Sequence, residues 1–163
     1  MNTKDILNFV QISENIATSG ELTSEQIKYI SNQGYTTVIN LTPHTAQDAI
    51  PNEGKIVAAN FMTYVNIPVH YEDPQLDQLK MFCAVLSAIS DQKVWIHCVR
   101  NNRVAAFVYL YQRYEQGLSH RQALSERFKQ WTPNQTWLAF IEEAESYLYR
   151  PEIYAKQNQA QIA

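Results

Sequence analysis

At 163 residues the chain fits one domain and can bury a sizeable core. Its 45% apolar and 18% charged residues are ordinary for a globular protein, and a net charge of −3 leaves no broad basic field for nucleic acid or an anionic membrane. The two cysteines, Cys83 and Cys98, are too few for a disulfide framework and form no CxxC pair, which favours a reducing, cytoplasmic location.

The N-terminal MNTKDILNFV holds Asp5 and Asn8 where a leader would need an apolar run. No stretch approaches the roughly 18 apolar residues of a membrane span. FVQISENIATSG (9–20) predicts two short strands about a polar turn. Thr23 or Ser24 then caps a helix carrying Ile27 and Ile30, which Gly34 ends. YTTVINL (35–41) is β-rich. Segment 42–60 is broken by two prolines and a glycine before a helical patch near 55–60, and YVNIPV (64–69) is the next core strand.

Asp73-Pro74 predicts the start of a helix with Leu76, Leu79, Phe82, Cys83, Leu86 and Ile89 on one face, which makes Cys83 a core residue. KVWIHC (93–98) is a further strand. From Arg103 the run VAAFVYLY is apolar nearly all round, as in a central helix packed on most sides, and Gly117 ends it. Ser119 with Gln122, and Thr132 with Pro133 and Gln135, start two more helices. The tail 151–163 is polar, so the core spans about 9–150 of a single domain over 1–163. Strands alternating with helices predict an α/β fold with a mostly parallel central sheet flanked by helices. Ligands in such folds sit at the carboxyl ends of strands, where Cys98 lies.

The chemistry concentrates in HCVRNNRV (97–104). A buried strand runs into a tight loop, and the loop runs into a helix N-terminus. The first N–H groups of a helix have no internal partner, and its dipole adds positive charge. A thiol placed there is stabilised as the thiolate. Arg103 presents a planar fork that can hold two oxygens of a tetrahedral anion. Asn101 and Asn102 tolerate left-handed backbone better than most residues. Nucleophile, oxyanion cradle and cation thus share one short stretch.

His97-Cys98 followed by Arg103 resembles the signature loop of the protein-tyrosine and dual-specificity phosphatases. With IPVHYEDP, VWIHCVRNNRVAAFVYLY and WTPNQTWLAFI, the resemblance extends over about 9–148, to a bacterial family of small dual-specificity-phosphatase-like proteins of unknown function. It implies a phosphatase-like fold, Cys98 as a phosphocysteine-forming nucleophile and Arg103 as phosphate clamp. It also implies a phosphate or sulfate anion held by the main-chain N–H groups of Val99, Arg100, Asn101, Asn102, Arg103 and Val104, with no metal or organic cofactor. His97 would orient the loop by a hydrogen bond, and Arg100 would either face solvent or bind a second phosphate. The substrate would be a phosphorylated small molecule or a phosphotyrosine-like group.

Two departures stand out. Four residues separate Cys98 from Arg103, one fewer than is usual for these phosphatases. Rhodanese-type sulfurtransferases also use a shorter cysteine loop, which leaves persulfide chemistry at Cys98 open. The hydroxyl that usually follows the Arg is replaced by Val104, and its loss costs about 1.5–3 kcal/mol, roughly 10- to 100-fold in rate. A non-catalytic phosphate-binding module is therefore a third reading. The acid that protonates the leaving oxygen is expected in the loop after the second core strand, from Asp73 or His70, with Glu72 behind them. Asp73 also reads as a plain helix cap.

Overall fold

The computed structural model describes residues 2 to 149, so the polar tail lies outside the described residues. Five strands form one sheet: β1 Val10–Gln11, β2 Ile16–Ser19, β3 Thr37–Asn40, β4 Thr63–Asn66 and β5 Val94–His97. Their order is β1-β2-β5-β3-β4, and only β1 runs antiparallel to its neighbour. The α/β fold with a mostly parallel sheet is as the alternation predicts.

Strand residues alternate between two cores. Val38 and Trp95 face Ile27, Ile30 and Val57 from α1 (Ser24–Asn32) and α2 (Glu53–Ala59). Ile39 and Ile96 face the opposite side, with Leu79, Phe82 and Leu86 of α3 (Leu76–Ala88) and most of α4 (Asn102–Tyr114). The same alternation sends Asn40 and His97 towards α2 and leaves Cys98 with the α3/α4 core. Helix α4 is buried along almost its whole length, from Arg103 to Gln112, as its all-round apolar run predicts. Cys83 is buried in α3, and its burial, helped by the charge of Glu115, pushes the thiol up to about 12.

Some local ends differ from expectation. Helix α3 starts two residues after Pro74, because Gln75 and Gln78 cap each other's backbone N–H groups, and Asp73 is not its cap. The segment begun by Ser119 breaks into α5 (His120–Ala123) and α6 (Glu126–Gln130), because Ser125 caps a new start. Helix α7 (Gln135–Leu148) is capped by Asn134 rather than Thr132. No helix among the described residues is long and apolar enough to cross a membrane.

Candidate active site

Residues 98–101 link the end of β5 to α4. The loop is strapped to the N-terminal segment. Asn101 adopts the left-handed conformation, with φ 64°, and its side-chain amide donates to Asn8 O at 2.8 Å and Thr18 Oγ1 at 3.0 Å. Asn8 in turn donates to Arg100 O at 3.0 Å, and Glu21 N donates to Val99 O at 3.1 Å. Gly20 makes room for this approach, since a Cβ there would lie 2.9 Å from both Val99 O and the Leu7 side chain.

The carbonyls of Val99, Arg100 and Asn101 thus have partners, whereas the amides that follow Cys98 do not. Among the described residues, no main-chain N–H of residues 99 to 104 finds a protein acceptor. The αL residue Asn101 is the N-cap of α4, so the free amides of the loop run directly into those of the first helical turn.

Cys98 is buried to 1% exposure. Beside it Arg103 is 6% exposed, and its Nη1 donates to Val69 O at 2.7 Å, with Leu41 O at 3.5 Å. Those carbonyls lie past the ends of β4 and β3. They anchor one arm of the guanidinium and leave the rest of the fork for a ligand. Asn102 is held by Arg127 of α6, whose Nε and Nη2 donate to Asn102 Oδ1 at 3.0 and 2.5 Å. Cys98, Val99, Arg100, Asn102 and Arg103 line one pocket of about 360 Å³, together with Tyr71 and Asp48.

Beneath the loop lies a buried polar network. His97 Nε2 and Glu53 Oε1 are 2.5 Å apart, with side chains 2% and 1% exposed. Glu53 Oε2 accepts from Asn40 Nδ2 at 2.6 Å and from the Tyr64 hydroxyl at 3.0 Å. Burial alone would raise the Glu53 carboxyl. The hydrogen bond and charge of His97, with the bonds from Tyr64 and Asn40, nevertheless hold it below the usual carboxylate range. Burial, then the Glu53 charge, push the Tyr64 phenol up. His44 is exposed and shares a 3.0 Å hydrogen bond with the Tyr64 hydroxyl.

Residues 3–141 match the family model described as DSP-PTPase phosphatase fused to NAD+ kinase. The chain belongs to this phosphatase family. It is also similar to a DUF442 phosphatase-like protein of Shewanella putrefaciens CN-32, 30% identical, with 89% of this chain and 93% of that one covered and a TM-score of 0.79. The fold is shared with Tk-PTP in its active form (18% identity, 85% and 97% covered, TM-score 0.70). It is shared as well with a Cys-to-Ser variant of Pseudomonas aeruginosa TpbA in complex with phosphotyrosine (14% identity, 95% and 90% covered, TM-score 0.63). A comparison with curated proteins found no match.

Within this phosphatase family member the residues expected around the phosphate fall into three groups. Cys98, Val99, Arg100, Asn102 and Arg103 meet at the pocket. Asn101 and Val104 are fully buried behind it, Asn101 as a strap and Val104 as a core residue. His97 lies on the other face of β5, bound to Glu53. His70, Glu72 and Asp73 are exposed and do not line the pocket; from that loop it is Tyr71 that does. Asp73 Oδ1 is engaged by Gln75 Nε2 at 2.6 Å.

Sequence reasoning missed Asp48 and Glu53, both in the irregular stretch between β3 and α2 or at its end. For Glu53 a signal was available: it precedes the apolar Val57 by one helical turn, so it shares the buried face.

Proposed function

We propose that the chain is a cysteine-dependent phosphatase that cleaves phosphate monoesters through a phosphocysteine on Cys98. The reading rests on one observation: the unpaired amides of residues 99 to 104 lie beside a buried cysteine and an anchored arginine in one pocket. That is the donor set a tetrahedral dianion needs. Cys98 Sγ attacks phosphorus as the thiolate, and the ester P–O bond breaks. Arg103 and the amides hold the equatorial oxygens. Water then attacks phosphorus, the P–S bond breaks, and phosphate and the thiolate are released. His97 orients the strand end that carries Cys98, held in turn by Glu53.

Tyr71 at the pocket wall suits an aromatic leaving group. A phosphotyrosine-like ester or a small aryl phosphate is therefore the substrate class. The two unpaired cysteines suit a reducing compartment, and a cytoplasmic site of action is part of the proposal.

Aryl-phosphate hydrolysis and thiosulfate–cyanide transfer, assayed side by side with Cys98→Ser and Arg103→Ala, test the reading. Phosphate release abolished in both variants supports it. Sulfur transfer without phosphate release would make Cys98 a persulfide carrier, a reading that the short loop alone favours. Vanadate binding without turnover would make the loop a binding module.

A further inference from the structure

We propose that Asp48, on the loop between β3 and α2, is the general acid and base of the reaction, a role that rests on the phosphatase reading above. Three observations carry it. Among the described residues that line the Cys98 pocket, Asp48 is the sole carboxylate. It also lines the adjoining pocket of about 400 Å³ with Glu21, Val99 and Arg100, so it stands where the two join at the loop. The candidates that the sequence offers on the β4–α3 loop, His70, Glu72 and Asp73, line neither.

The second observation is how the loop is rooted. Asn40, the last residue of β3, accepts from Thr42 N through Oδ1 at 2.7 Å and donates through Nδ2 to Glu53. Glu53 is the first residue of α2 and the partner of His97. Both ends of the Asp48 loop thus meet at the Glu53 carboxylate, which holds the His97 side chain that precedes the nucleophile. Between them, Ala46 N donates to Pro43 O and Ala49 N to Ala46 O, each at 3.0 Å, in consecutive turns that carry Asp48 to the mouth. The segment that reads as a spacer is fastened to the catalytic strand at both feet.

The third observation is electrostatic. Burial, and after it the charge of Asp48, raise the Glu21 carboxyl above the usual range. Glu21 and Asp48, which line the same adjoining pocket, thus lie close enough at its mouth to interact by charge.

In the first step the Asp48 carboxyl gives its proton to the ester oxygen as the P–O bond breaks. In the second, the Asp48 carboxylate takes a proton from the attacking water while the P–S bond breaks. The acid is thereby regenerated, and the thiolate leaves unprotonated.

Proton donation matters in proportion to the basicity of the leaving oxygen, which separates it from a structural role. The experiment compares phenyl phosphate, with a basic leaving group, and 2,4-dinitrophenyl phosphate, which needs no proton. Asp48→Asn is expected to lose about 10²-fold or more in kcat/KM, which reports ester cleavage and not the later hydrolysis of the phosphocysteine, on phenyl phosphate and less than about 10-fold in kcat/KM on the dinitrophenyl ester. His70→Ala and Asp73→Asn are expected to match the parent on both. An equal loss on the two esters, or a leaving-group-dependent loss in His70→Ala or Asp73→Asn with Asp48→Asn unaffected, overturns the assignment. If the parent hydrolyses neither ester, the phosphatase reading fails and this assignment falls with it.

Discussion

Glu53 and His97 meet at 2.5 Å across the interface between α2 and β5, each shielded almost wholly from solvent. The pair fixes the residue next to the nucleophile by a group 44 positions away in sequence. It also makes Glu53 a hub, because Asn40 and Tyr64 bond the same carboxylate.

Replacing Glu53 by Gln leaves the shape and removes the charge. The amide cannot accept from His97, Asn40 and Tyr64 together, so buried donors lose their partner. The expected loss is about 3 kcal/mol of folding stability, read by chemical denaturation at neutral pH. The pH dependence has a definite sign. A carboxyl lowered in the folded state contributes stability that is fully present above its unfolded value of 4.5. That contribution is lost as pH falls through the folded value. The parent should therefore weaken in acid below that point more steeply than Glu53→Gln. Parallel acid profiles would refute the role of the carboxylate.

Gly20→Ala tests the strap from the other side. The new Cβ would meet a backbone oxygen, Val99 O, at 2.9 Å, and a carbonyl cannot swing aside as a side chain end can. Either β2 or the loop must shift. A destabilisation of about 1–3 kcal/mol is expected, with a loss of vanadate affinity larger than that of a surface variant such as Lys28→Ala. Unchanged vanadate binding, measured by calorimetry, would mean that the loop does not need its present register.

The loop and the sheet were legible in the sequence for a simple reason: each is contiguous. Strand runs such as VWIHC and the all-round apolar helix carry their own periodicity, and Cys98, Arg103 and the asparagines lie within six consecutive residues. Asp48 and Glu53 were not legible, because their position depends on where the β3–α2 segment packs. The spacing of Glu53 to Val57 hints at a buried face, but which groups surround it, Asn40, Tyr64 and His97, depends on how distant segments pack. The β4–α3 loop was misleading in the opposite way. It offers His70, Glu72 and Asp73 in a row, yet Trp137 Nε1 holds the carbonyl of Tyr71 at 2.9 Å, and Tyr71 is the residue from that loop at the pocket.

Arg103→Lys keeps the positive charge and loses the fork. The ammonium cannot bond Val69 O and also grip two oxygens of a phosphate in one plane. The expected result is a fall of about 10²- to 10³-fold in kcat/KM on an aryl phosphate, with a folded protein by circular dichroism. A lysine variant within a few-fold of the parent would show that charge alone suffices and that the anchored geometry of Arg103 is incidental.

Val104 offers the last test, because it occupies the place of the hydroxyl that helps the thiolate leave in related loops. It is fully buried in the same core as Cys98. Without that hydroxyl the P–S bond should break slowly, so a good leaving group should give a burst followed by a slow steady state. Val104→Thr adds an O–H with little change in volume. Placing a hydroxyl in this apolar core costs about 1–3 kcal/mol of stability. A hydrogen bond to the departing thiolate would lower the barrier of the second step by about 1.5–3 kcal/mol, a gain of roughly 10- to 100-fold in its rate. Stopped-flow traces should therefore show a smaller burst and a faster steady state in the threonine variant, at a lower melting temperature. A variant that loses stability but keeps the parent's burst and steady state would place the slow step elsewhere, in ester cleavage or phosphate release.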